Sequence, residues 1–151
     1  CIQHLSIKYG PFDFAIGHSF GGAAIFNAMR LGCSFRKVVT ISSQFNLINI
    51  FLDFIKIFQL PNDYVDQMLD FYLNKYKLNF SDYNLPNFIM DINCPVLTIH
   101  CMNDKDVDSA SADMFKSQLS NSILFKTRGL GHRRILRDQK VINQIISFFE
   151  S

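Results

Sequence analysis

The sequence predicts an α/β fold, with parallel strands alternating with helices, on three observations. Apolar, β-branched runs of strand length stand at residues 12–16, 37–42, 96–100 and 123–127. Segments of helical period separate them, and the crossovers this requires make the strands parallel. The first run opens straight into a helix through Gly17-His18-Ser19-Phe20-Gly21-Gly22, a strand–turn–helix junction with a serine at its apex.

Each element has a local reason. Residues 1–9 read as the end of a helix with Ile2, Leu5 and Tyr9 on one face, stopped by Gly10-Pro11. Residues 21–31 read as a helix closed by Gly32. A long aromatic segment follows, from Gln44 to Met90. Its first helix carries Phe51, Phe54, Ile55 and Phe58, with Asn46 or Asn49 as cap. Pro61-Asn62-Asp63 breaks the run and caps a second helix over 64–75. Pro95 precedes the third strand, a β-branched and apolar run that suits burial on both faces. Residues 109–119 form the next helix, with Asp108 as N-cap. After Asp138, Val141, Ile142, Ile145, Ile146 and Phe149 repeat at helical spacing and should pack on the sheet.

The junction at Ser19 carries chemistry. A nucleophilic serine must project from a tight, strained turn, which leaves no room for side chains two residues either side. Gly17 and Gly21 are expected to supply that room. The following helix N-terminus points free N–H groups, that of Phe20 first, at the place where an oxyanion would form. Such a serine needs a histidine and an acid, each at a strand end. The run Cys94-Pro95-Val96-Leu97-Thr98-Ile99-His100 leads into Asn103-Asp104-Lys105-Asp106-Val107-Asp108, where Asp104 and Asp106 compete as the acid. The last strand leads into Arg128-Gly129-Leu130-Gly131-His132.

These three stretches, GHSFGG, IHCMNDKDV and RGLGHRRILRD, resemble the α/β-hydrolase superfamily, in particular its bacterial single-domain serine hydrolases and esterases. The resemblance covers nearly the whole chain. It implies Ser19 as nucleophile, Asp104 as acid, His132 as base and the Phe20 N–H as oxyanion donor. Where the family usually has proline after the valine of the acid loop, this chain has Asp108. The resemblance also implies a C-terminal portion of a longer fold: residues 1–43 bear the elbow, 44–93 form a helical cap, and 94–151 bring the acid and histidine loops. The family's sheet has further strands and, upstream, a loop giving a second oxyanion donor. Losing one such donor costs roughly 10²–10³ in rate, so weak activity is expected from these residues alone.

The expected reaction is hydrolysis of carboxylic esters or thioesters without metal or organic cofactor. Acyl transfer or peptide cleavage on the same triad, or an inactive truncated fragment, are the alternatives. An aromatic cap favours a substrate with an apolar acyl side, a small molecule. At 151 residues, 48% hydrophobic and 14% aromatic, the chain can bury a real core and is not disordered. Net charge is only +2, and the one basic cluster, Arg133, Arg134 and Arg137, adjoins the histidine loop. It reads as a solvated face or as an attractor of an anionic substrate. Nothing resembles a nucleic-acid stripe. Cys1, Cys33, Cys94 and Cys101 lack metal or disulfide spacing and read as reduced, buried thiols of a cytoplasmic protein. No apolar stretch is long enough to span a membrane. His18 is expected to pack beneath the elbow, and His100 to be buried and hydrogen-bonded.

Overall fold

A computed structural model describes residues 1–84, 89 and 92–151. Four strands, β1 (Phe14–His18), β2 (Lys37–Ile41), β3 (Val96–Cys101) and β4 (Ser122–Thr127), form one parallel sheet in the order β1-β2-β3-β4. Seven α-helices are described: α1 (Ile2–Tyr9), α2 (Phe20–Arg30), α3 (Ile48–Ile57), α4 (Asp63–Tyr76), α5 (Ala110–Gln118), α6 (Gly131–Arg134) and α7 (Gln139–Glu150). A 3₁₀ turn, Phe80–Tyr83, follows α4. The end of the expected cap, Met90 and the residue after it, lies outside the described residues.

The central strands are apolar because both faces are covered. Every residue of β3 is buried, as the unbroken run predicted. On one face Val38 and Val96 pack with Phe26, Phe45 and Phe115. Those three rings lie 4.6–5.9 Å apart. On the other, Val39, Leu97 and Ile99 pack with Ile135, Val141 and Phe148. At its far edge β1 has no strand partner among the described residues, and Ile16 there is 54% exposed.

Several expectations shift. The first strand runs from Phe14 to His18, not over 12–16, because its pairing begins at Phe14 opposite Lys37. In α7 Val141, Ile145 and Phe149 pack on the sheet as expected, with Phe148 buried beside them, whereas Ile146 is 49% exposed. Asp138 does cap α7, its Oδ1 accepting from the Lys140 and Val141 N–H groups. Asp108 caps α5 through the Ala110 N–H. Asn46, not Asn49, caps α3 by accepting from Ile48. The cap aromatics pack largely on one another: Phe51, Ile55 and Val65 form a separate small core with Tyr72 and Phe80. Cys33, Cys94 and Cys101 are buried free thiols, whereas Cys1 is exposed. No helix among the described residues is long and apolar enough to cross a membrane.

Candidate active site

Parallel pairing puts the carboxyl ends of all four strands at one edge, where such sheets build their sites. Ser19 follows β1 directly, Asp104 lies just past β3, and His132 sits on the loop and short helix after β4. Ser19 has φ +56° and ψ −123°, a conformation that a residue with a side chain avoids. Strain of this kind costs on the order of 1–3 kcal/mol and persists only where the surroundings impose it. Here the Ser19 N–H donates to Ile41 O on β2 at 2.9 Å, and α2 starts at the next residue.

The room for this turn comes from Gly17 and Gly22, not from Gly21. A Cβ on Gly17 would lie 2.6 Å from the backbone of Gly21 and Gly22. One on Gly22 would collide with the Ser43 side chain at the end of β2, whereas one on Gly21 meets nothing within 4 Å. Gly17→Ala is therefore expected to cost roughly 1–3 kcal/mol by overpacking against backbone that cannot yield. Gly21→Ala should leave stability unchanged or raise it by about 0.5 kcal/mol. Urea midpoints of the two variants check the contrast.

Asp104 and His132 are brought together. His132 Nδ1 donates to Asp104 Oδ2 at 2.9 Å, with the Asp104 side chain fully buried and that of His132 11% exposed. Asp104 Oδ1 accepts the N–H groups of Asp106 and Val107 at 2.9 and 3.0 Å. Burial pushes the Asp104 carboxyl up. The Val107 N–H, His132 and the Asp106 N–H outweigh that and hold it below the ordinary carboxylate value. The Ser42 hydroxyl, buried and with no partner of hydrogen-bond geometry, adds a pull of the same sign. Asp106 is exposed, and its part here is the N–H it gives to Asp104. Asp104, Asp106 and His132 also place three donor atoms within 4.8 Å of one another, but a cation bridging them would compete with the His132–Asp104 bond.

No hydrogen bond joins Ser19 to His132 among the described residues. Their link is His18. Its Nε2 donates to the His132 carbonyl at 2.9 Å and its ring lies against that of His132, so it packs beside the histidine loop and not beneath the elbow. Phe20 is the first residue of α2, and its N–H has no acceptor inside the helix. Its side chain is 56% exposed. An apolar cavity of about 410 Å³ adjoins it along α2, walled by Ala23, Ala24, Leu31, Leu47 and Phe80. Ser19 and His132 do not line that cavity. His132 instead borders a second hollow with Lys105, Arg133 and Arg134. Arg134 braces the loop through Gly129 O and Leu130 O.

Two buried neighbours of Asp104 complete its surroundings, of which the sequence signals only His100. Ser42 looks there like a last strand residue, yet it turns out of β2 at φ +47° and is fully buried against the acid loop. His100 is fully buried, as expected, and donates from Nε2 to Val107 O at 3.0 Å, with Asp104 Oδ2 3.6 Å away. Burial holds its pKa below the ordinary histidine value, against the Val107 carbonyl and Asp104, which favour the charged form. A histidine depressed in the fold but normal in the unfolded chain contributes stability that is complete above the unfolded pKa, about 6.5, and is lost below it. The urea midpoint should thus fall between pH 7.5 and 5.5, and His100→Gln should flatten that slope.

Comparisons with known proteins bear on the fold. No protein-family model matches the sequence, and no curated protein matches it. Solved structures do. An α/β-hydrolase enzyme from the metagenome of lagoon sediments superposes with a TM-score of 0.66 at 17% identity, over 98% of this chain and 65% of that one. A serine hydrolase involved in carbazole degradation gives 0.64 at 19% identity, over 97% and 68%. The Pyrococcus furiosus esterase gives 0.60 at 17%, over 98% and 56%. The chain thus spans roughly two thirds, or less, of the length of these structures. From the strand that carries Ser19 to its final helix, this chain has a partial α/β-hydrolase fold.

Proposed function

We propose that the chain carries the catalytic triad of a serine hydrolase acting on carboxylic esters or thioesters, with Ser19 as nucleophile, His132 as base and Asp104 as acid. The observation that carries this reading is the buried 2.9 Å bond from His132 to Asp104, at the same sheet edge as a serine in a strained turn. With its Nδ1 proton held by Asp104, His132 keeps the Nε2 lone pair free to take the Ser19 proton as the hydroxyl attacks a carbonyl. The same nitrogen then protonates the leaving alcohol or thiol, and water releases the acyl group by the reverse sequence.

The Phe20 N–H is the oxyanion donor the elbow offers. A site with one such donor is expected to run roughly 10²–10³ slower than one with two. The apolar cavity beside Phe20 favours a small-molecule substrate with a nonpolar acyl side. The serine hydrolase and esterase among the matched structures support the reaction class. The test is reaction of the folded chain with a fluorophosphonate, followed by mapping of the adduct. A folded sample in which Ser19 stays unmodified sinks the reading.

A further inference from the structure

We propose that His18 is a positioning residue that fixes the separation of Ser19 and His132, an inference that rests on the triad read above. The strands that lead to nucleophile and base, β1 and β4, are the two outermost strands of the sheet. β1 and β4 are three strand spacings apart, about 14 Å at the usual spacing. The histidine loop must therefore reach back over β3 and β2 toward the elbow.

The anchors of that loop tie it mostly to the end of β3. Cys101 Sγ accepts the Gly131 N–H at 3.0 Å, Asn103 Oδ1 accepts that of Gly129 at 3.2 Å, and Asp104 takes the His132 ring proton. These contacts index the base to the acid. None of them fixes it relative to the nucleophile. Among the described residues a single hydrogen bond joins the histidine loop to the elbow, from His18 Nε2 to the His132 carbonyl at 2.9 Å.

His18 suits that task for three reasons. It is covalently joined to Ser19, so a shift of one moves the other. Its acceptor is a carbonyl, so the Nε2 position must carry the proton, and the donor is defined. Its ring lies 4.6 Å from that of His132, tilted by 46°, which limits rotation of the base as well as translation of its backbone. Misplacement of a reacting group by about 1 Å can cost on the order of 10²-fold in rate, so a single link across this gap controls the reaction without touching substrate.

The experiment compares His18→Phe, which keeps a ring without a donor, with His18→Gln, which keeps a donor near the Nε2 position. Both are made in the full 151-residue chain. Read-outs are the rate of fluorophosphonate reaction at Ser19, kcat and KM on a short aryl ester, the thermal midpoint, and hydrogen exchange over residues 129–133. H18F is expected to lose about 10- to 100-fold in kcat and in labelling rate, with KM unchanged and faster exchange in the loop. H18Q should retain most of the activity. Equal activity of H18F and wild type overturns the proposal and leaves the triad standing, as does equal loss in both variants with matched midpoints. A wild-type chain that never reacts at Ser19 overturns the triad and the proposal together. Should H18F fail to fold, H18Q and H18N carry the same comparison, since asparagine is too short to place a donor at Nε2.

Discussion

Ser19→Ala is expected to abolish ester hydrolysis, lowering kcat by about 10⁴–10⁶ to whatever binding and the oxyanion donor alone supply, and to take up no fluorophosphonate. The fold should survive, because alanine occupies the same strained backbone as serine and the Ser19 N–H bond to Ile41 is a main-chain contact. Ser19→Gly adds a second read-out. Glycine accepts φ +56° without penalty, so part of the 1–3 kcal/mol stored in such a turn should reappear as a raised thermal midpoint in an equally inactive protein. Hydrolysis that persists in both variants would place the nucleophile elsewhere. A midpoint unchanged or lowered by glycine would mean that the turn is not strained as its dihedral angles state.

Asp104→Asn should cost about 10⁴ in kcat/KM with little loss of structure. The Asp106 and Val107 N–H groups need an oxygen acceptor, so they hold the amide oxygen at the Oδ1 position. The amide nitrogen is then left facing His132 Nδ1. Two donors cannot share that contact, and the imidazole must move its proton to Nε2, where it can no longer accept from Ser19. Steady-state kinetics on a short aryl ester measure the loss. A fall of less than tenfold would shift the role of acid to Asp106, which the same assay on Asp106→Asn would reveal.

Much of this site is legible in the sequence because its chemistry is local. Gly17 to Gly22 encodes strand, turn and helix within six residues, and the resemblance of the stretch from Ile99-His100 to Val107 to the α/β-hydrolase acid loop implies Asp104 over Asp106. What the chain does not spell out is contact between elements. Nothing near Ser42 signals that it leaves its strand to face a carboxylate contributed from beyond β3. His18 reads as elbow packing because its partner, the His132 carbonyl, lies 114 residues away. The glycine assignment fails similarly: Gly21 and Gly22 look equivalent, and only the approach of Ser43 from β2 makes Gly22 the one without room. In α7, likewise, the sheet face it meets decides that Phe148 is buried and Ile146 is not.

One consequence of the sheet order reaches beyond the site's geometry. Among the described residues the proposed nucleophile follows a strand with a single ladder, whereas the proposed acid follows one held on both sides. Edge strands separate at lower free energy than central ones. Mild denaturant should therefore detach the serine from an otherwise intact base–acid pair, and catalysis would fade while most of the molecule still reads as folded. Within these 151 residues the working lifetime of the proposed triad would then be set by the adhesion of five residues, Phe14–His18, and not by the stability of the rest of the sheet.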